Sequence, residues 1–292
     1  MPNNYLVLSI DFDGCSDNEH GQNKIISDVQ LFIQDQPNIS HVLVLIGSLR
    51  QSLFLDKYNA IDYSKYHDSA LVSCKLIGDV FMTQLRTALP SHLVIEFEPL
   101  LTSDIYNHLT PGTTYQAMQT YFSSTMNSSH IVTNQHGQLI DLLMYRHSSK
   151  HDDAILQTRE LIDFSKISIL YMQMQHVAHL MPETPIHFRF YDDRTDIHQK
   201  LKNFFQTHTY SMPQNITWHS IRNDSQHPEI PSENMLEKPF QGEGKIEHNY
   251  PEILNHVIEA CPFDMIDDLI NQQILEQTLT QAILKSRTCH IP

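Results

Sequence analysis

At 292 residues the chain can hold one large domain or a domain with an insertion, and its 40% apolar and 18% charged content excludes a disordered polypeptide. A formal charge of −15 argues against a general binder of nucleic acid or membrane surface, which needs a basic face, and requires that any anionic ligand be drawn in by a local positive site. Cys15, Cys74, Cys261 and Cys289 show neither CxxC nor CxxxC spacing, so no zinc site or disulfide framework is expected and a reducing, cytoplasmic compartment is the plain reading.

The opening MPNN lacks a basic region ahead of its apolar run, so no signal peptide is expected, and nothing later approaches a membrane span. Tyr5 to Gly14, YLVLSIDFDG, reads as a strand buried on both faces, as at the centre of a parallel sheet. Period two points Asp11 and Asp13 the same way at its carboxyl end, with Phe12 pointing away and Gly14 permitting a backbone excursion. In an open α/β sheet ligands bind at such an end. Two carboxylates side by side repel unless a cation lies between them or one is protonated, and a hard divalent cation, most simply Mg²⁺, takes oxygen ligands of this kind. The pair points to phosphate chemistry, with a polar turn closing a strand as the bland alternative.

Residues 15–24 read as a polar turn, Ile25 to Gln34 as a helix, and His41 to Ile46 as a second strand ending in Gly47-Ser48. A right-handed crossover brings Ser48 near Asp11, where its hydroxyl can donate to a phosphoryl oxygen; the alternative is an ordinary cap for the next segment. A helix ended by Pro90 is expected within Ala70 to Leu89, a strand at His92 to Phe97, and helix, Pro-Gly turn and helix from Thr102 to Tyr121. Ser123 to His136 reads as a loop or linker with a short apolar patch at His130 to Thr133.

Ile162 to Pro182 reads as a helix capped by Ser165, with Ile167, Leu170, Met174, Val177 and Met181 along one side. Lys166 in its first turn opposes the helix dipole, so it either complements an anionic site or is a solvated surface lysine. Pro185 to Asp196 reads as a strand with one better-buried face, Ile186, Phe188 and Phe190, ending in Asp192 and Asp193 with Arg194 and Asp196 beyond. A helix from Ile197 to His208 and a strand from Asn215 to Ile221 follow, then a Pro-, Asn-, Glu- and Gly-rich excursion or linker over residues 222–250. Gly242 to Lys245 lacks the rest of a phosphate-loop pattern. Tyr250 to Ser286 reads as two amphipathic helices broken near Pro262, packed on the core or docking a partner. His176 and His179 read as helix-surface residues, and the nineteen histidines as scattered composition bias.

The order of these signals, a hydrophobic strand with DxDG, a hydroxyl strand end, a lysine at a helix start and a second strand ending in Asp-Asp, resembles the haloacid dehalogenase (HAD) superfamily of phosphohydrolases. Asp11 and Asp13 match its first motif, Ser48 its second, Lys166 its third and Asp192-Asp193 its fourth, over roughly Tyr5 to Phe205 without residues 50–160. Lys57 and Lys150 are rivals for the basic role, but the interval from Lys166 to Asp192 allows one helix, one turn and one strand, which favours Lys166. The resemblance implies that Asp11 attacks phosphorus to form an aspartyl-phosphate, that Asp13 is the general acid and base, and that Ser48 and Lys166 bind the transferred oxygens. It implies Mg²⁺ held by Asp11, by the backbone carbonyl of Asp13 and by Asp192 or Asp193. Cys15, where the family usually has Thr or Val, reads as a small buried residue.

The expected fold is therefore α/β, a Rossmann-like parallel sheet of HAD type with an insertion between the second and third motifs and a helical C-terminal extension. Residues 1–50 and 160–222 form the core, 51–159 the insertion (a possible cap, partly core), and 223–292 a linker and helical extension. The expected function is a Mg²⁺-dependent phosphatase acting on a small-molecule or protein phosphate ester, with nucleic acid and membrane disfavoured. The second reading is a HAD-like scaffold with a binding or effector role, engaging a protein partner through the insertion or the C-terminal helices. The chain also resembles HAD-like effectors that intracellular bacteria export by type IV secretion, which implies delivery to a host cell without a cleavable signal peptide.

Overall fold

The structure is a computed structural model that describes residues 4–49, 51, 76–123, 131–145, 155–158, 163–260 and 269–288. Lys57, Lys150, Cys74, Cys261 and Cys289 lie outside the described residues, as does nearly all of the segment that Ser48 was expected to cap. The chain opens with β1 (Asn4–Ile10), α1 (Glu19–Asp35) and β2 (Ile39–Ile46). A π-helical turn at Leu76–Phe81 leads into α2 (Met82–Ala88), followed by β3 (Val94–Phe97), α3 (Thr102–Tyr106) and α4 (Thr113–Ser123). Then come β4 (Ile131–Thr133), β5 (Leu139–Tyr145), β6 (Ile155–Thr158), α5 (Ile167–Leu180), β7 (Ile186–Asp192), α6 (Thr195–Thr207) and β8 (Ile216–Arg222). Two short strands, β9 (Glu233–Asn234) and β10 (Phe240–Gln241), precede α7 (Tyr250–Ala260) and α8 (Leu269–Thr288).

The central sheet runs β10-β8-β7-β1-β2-β3, with β9 also on β8; its four pairings from β8 to β3 are parallel, and β9 and β10 each add to β8 antiparallel. From β1 the chain steps outward one way through β2 and β3 and the other way through β7 and β8, so β1 and β7 flank a switch point. The architecture is thus α/β with a mostly parallel sheet, compatible with a Rossmann-like fold. Leu6 to Ile10 are all buried because helices cover both faces. Val7, Phe188, Phe190 and Trp218 pack with residues of α5, α6, α7 and α8, while Leu8, Ile10, Val44 and Ile46 pack with α1 and α2.

Several elements differ from the sequence-based expectation. α1 begins at Glu19, where Asn18 Oδ1 accepts the Gly21 N–H at 3.0 Å, so the polar residues before Ile25 are already helical. β4, β5 and β6 form a separate three-stranded sheet inside the expected insertion; β4 falls on the apolar patch of the loop expected over Ser123 to His136, and no element was expected at β5 or β6. Ile140 and Leu142 of β5 join the core cluster of Leu101, Leu109 and Met118. β3, also within residues 51–159, pairs with β2 and extends the central sheet.

β7 is buried on both faces rather than one. Arg189 is buried beneath α1, where it pairs with Asp28, donates to Tyr191 Oη at 2.9 Å and lies 4.3 Å over the Phe32 ring. Of the excursion or linker expected over residues 222–250, the chain forms an excursion that folds back along β8, with Phe240 opposite Trp218 and Asn234 opposite Ile221. Gly242 and Gly244 serve that close approach: a Cβ would fall 2.1 Å from the Pro213 carbonyl oxygen at the first and 2.0 Å from that of Tyr210 at the second. Leu275, Leu279 and Ile283 of α8 and Leu254 and Val257 of α7 pack on the core. Among the described residues no helix is long and apolar enough to cross a membrane.

Candidate active site

Asp11 directly follows β1, and its N–H donates to the Tyr191 carbonyl of β7 at 2.9 Å. Asp192 is the last residue of β7 and Asp193 the next. Parallel pairing of β1 with β7 therefore sets the two acidic strand ends beside each other, and the oxygens of Asp11, Asp192 and Asp193 lie within 4.8 Å of one another.

Lys166 enters this cluster from the start of α5. Its ammonium is 2.7 Å from Asp11 Oδ1 and 2.5 Å from Asp192 Oδ2, and all three groups are buried. The lysine backbone is left-handed, φ 60 and ψ 13, a conformation that costs a non-glycine residue about 1–2 kcal/mol. The surrounding turn imposes it. Asp163 accepts the N–H groups of Ser165 (2.9 Å) and Ser168 (2.7 Å) on its two carboxylate oxygens and both serine hydroxyls as well, while its carbonyl accepts the Lys166 N–H. The helix cap expected of Ser165 is supplied mainly by Asp163, since Ser165 Oγ meets the Ile167 N–H only at 3.4 Å.

The first carboxylate pair does not extend as period two implies. β1 ends at Ile10, and Phe12 O accepts the N–H groups of Cys15 and Ser16, so the chain turns. Asp11 and Phe12 are buried, and Asp13 is exposed on the turn. Asp13 enters the expected metal set through its backbone carbonyl, and its carboxyl is not among the three clustered groups. Gly14 has φ +73, and a Cβ there would lie 2.6 Å from Asp193 Oδ2, so this glycine lets the turn close against Asp193. Ser225 fastens the turn by donating its N–H to the Gly14 carbonyl at 2.7 Å.

Ser48 is buried just beyond β2, and the preceding Gly47 donates its N–H to Ile10 O at 2.8 Å, which keeps the β2 end beside the β1 end. Gln51 holds the same turn through the carbonyls of Ile46 and Ser48. Asp196, a third acidic candidate after β7, is exposed and engaged by Arg194.

Three positioning groups were not foreseen. Gln173, fully buried in α5, accepts the Ser9 hydroxyl at 2.7 Å and donates to Ile46 O at 2.8 Å, so one amide ties the lysine helix to both β1 and β2. His198 of α6 has Nε2 3.0 Å from the Asp192 carbonyl and Nδ1 2.6 Å from Ser220 Oγ. Burial pushes its pKa down to about 4, so the neutral ring donates through Nε2 and accepts through Nδ1. Asn223 ties the β8 end to the Cys15 and Gly21 carbonyls. Any signal for them was a polar residue inside an apolar helix or at a strand end. His176, expected at the helix surface, is also buried, between Glu98 (2.8 Å) and the Tyr250 hydroxyl (3.0 Å).

The electrostatics favour a further cation. Burial raises the Asp11 pKa to about 6 against the lowering effect of Lys166, and burial together with Asp192 and Asp11 raises that of Asp193 to about 6. For Lys166 burial works downward, but Asp11 and Asp192 outweigh it and hold the ammonium above its usual range. One lysine thus faces three carboxylates, an excess of negative oxygen that suits a hard divalent cation such as Mg²⁺. Cys15 is buried with its thiol pKa pushed well up by burial, which leaves it inert as a nucleophile. No protein-family model, curated protein or solved structure matches the chain.

Proposed function

We propose that the chain is a Mg²⁺-dependent phosphohydrolase of HAD type that works through an aspartyl-phosphate on Asp11. The observation that carries this reading is the convergence of Asp11, Asp192 and Asp193 on Lys166 at the switch point of a parallel sheet. Asp11, Asp192 and Asp193 would hold the ion, which when bound supplies positive charge that lets a carboxylate approach an anionic phosphate.

Asp11 attacks phosphorus through one carboxylate oxygen; the ester P–O bond breaks, and the leaving oxygen takes a proton from Asp13. Asp13, exposed on the turn after β1, meets substrate and water at the solvent side. Once ionised it takes a proton from the water that attacks the aspartyl-phosphate, releasing inorganic phosphate and restoring Asp11. Lys166 keeps Asp11 ionised and oriented, and with Ser48 stabilises charge on the transferred oxygens. His198, Gln173 and the Asp163 turn hold these groups at fixed spacing.

The test is release of inorganic phosphate from a panel of phosphate esters by the purified protein with Mg²⁺ and with a chelator. Turnover that needs Mg²⁺ is expected. Silence across the panel with Mg²⁺ present would count against the enzyme. One observation favours the second reading, a HAD-like binding scaffold: Lys166 itself pairs with two of the carboxylates, so the cluster is partly neutralised by the fold alone. Silence in the assay together with capture of a protein partner by residues 51–159 or by α7 and α8 would support it.

A further inference from the structure

Arg194 stands at the rim of the carboxylate cluster. Its N–H donates to Asp192 Oδ1 at 2.8 Å, which fixes the residue where β7 passes into α6. The guanidinium is less constrained. It forks onto Asp196, Nε to Oδ1 at 3.1 Å and Nη2 to Oδ2 at 2.7 Å, with the two side chains 47% and 51% exposed. An ion pair this exposed is weak, so an incoming anion can take the place of Asp196. Of the cations beside it, Lys200, one turn beyond Asp196 in α6, also acts on Asp196, while two others are committed elsewhere. Lys166 is buried between Asp11 and Asp192, and Arg222 lies 3.3 Å from the Asp193 carbonyl and 3.5 Å from Asp224.

The planar fork of arginine matches a carboxylate or phosphate with two parallel hydrogen bonds, which a lysine point charge does not. On a chain of formal charge −15, a ligand with several anionic groups is repelled except where such a fork meets it. We propose that Arg194 is a specificity-determining residue that binds a second anionic group of the substrate, making the substrate class phosphate esters that carry a further carboxylate or phosphate. The inference rests on the phosphohydrolase reading of the same site.

The experiment is calorimetric titration of the full chain, with Mg²⁺ present, using phenylphosphonate, 3-carboxyphenylphosphonate and 1,3-phenylenebisphosphonate, which bind without being hydrolysed. The second anion should tighten binding about tenfold in the unmodified protein, as a charge-assisted bidentate contact implies. In Arg194→Ala that ratio should fall to about one, in Arg194→Lys it should recover only in part, and in Asp196→Asn, which removes the competing carboxylate, it should rise. Both side chains are half exposed, so these variants should keep the unmodified melting temperature to within a few degrees. Equal binding of the three probes by the unmodified protein, no binding of any, or a ratio untouched by Arg194→Ala overturns the proposal. Turnover of phenyl phosphate, measured alongside, separates the two ideas: if it occurs but Arg194→Ala leaves selectivity intact, Arg194 loses its role and the phosphohydrolase stands.

Discussion

The ammonium of Lys166 and the carboxylate of Asp11 form a buried ion pair of 2.7 Å, joining the start of α5 to the end of β1. Asp192 shares the same ammonium from β7 at 2.5 Å. Removing one member of a buried pair strands its partner's charge, at a cost of about 3–5 kcal/mol. Lys166→Met should therefore lower the urea midpoint markedly, and millimolar Mg²⁺ should restore part of the loss by replacing the missing positive charge. A Lys166→Met protein of unmodified stability that ignores Mg²⁺ would show that the lysine does not balance these carboxylates.

Gln173 links α5 to two strand ends with its single amide. Gln173→Leu keeps the bulk but strands the Ser9 hydroxyl, at a cost of about 1–3 kcal/mol, and leaves the Ile46 carbonyl with Gln51 as its remaining side-chain donor. Thermal unfolding should shift down by several degrees. The phosphate-ester turnover proposed for the chain, measured well below the new midpoint, should fall in kcat more than it changes KM, because the lysine helix loses its register on the sheet. Unaltered melting would show the amide to be dispensable.

The raised pKa of Asp193 gives stability a pH signature. Its folded value, about 6, lies above the usual 3.8, so between those values the folded state binds more protons than the unfolded one. Stability from this group is present at low pH and is lost as pH rises through that window. Asp193 is half exposed, so solvent screening reduces the effect to on the order of 1 kcal/mol. In metal-free buffer, Asp193→Asn should melt a few degrees above the unmodified protein at pH 7 and level with it at pH 4. The opposite ordering at pH 7 would mean that Asp193 is stabilised by its surroundings rather than crowded by them.

The parallel core was legible because its signals are local and redundant. β1 is mostly apolar, β2 ends in the apolar run VLVLI, β8 carries Ile216, Trp218 and Ile221 within seven residues, and α5 keeps helical spacing as far as Leu180. The positions of Asp11, Lys166, Asp192 and Asp193 followed from strand ends and helix starts, which pairing in the sheet then brings together. What was hidden depends on partners distant in sequence. Arg189 on β7 looked solvent-facing because its burial is made possible by Asp28 of α1. β9 and β10 are too short to announce themselves and exist only by pairing with β8. Asp13 left the plane of Asp11 because the turn at Phe12 interrupts the alternation one residue after the strand ends. Leu139 to Tyr145 carries apolar residues enough for a strand, yet its partners β4 and β6 are weak by themselves.

The proposed chemistry begins with attack of Asp11 on phosphorus. Rapid acid quenching of the protein during turnover of a ³²P-labelled phosphate ester with Mg²⁺ tests it most directly. The unmodified chain should carry hydroxylamine-labile label on the peptide containing Asp11, and Asp11→Asn should show neither label nor turnover. Undiminished Mg²⁺-dependent turnover by Asp11→Asn would show that Asp11 is not the nucleophile.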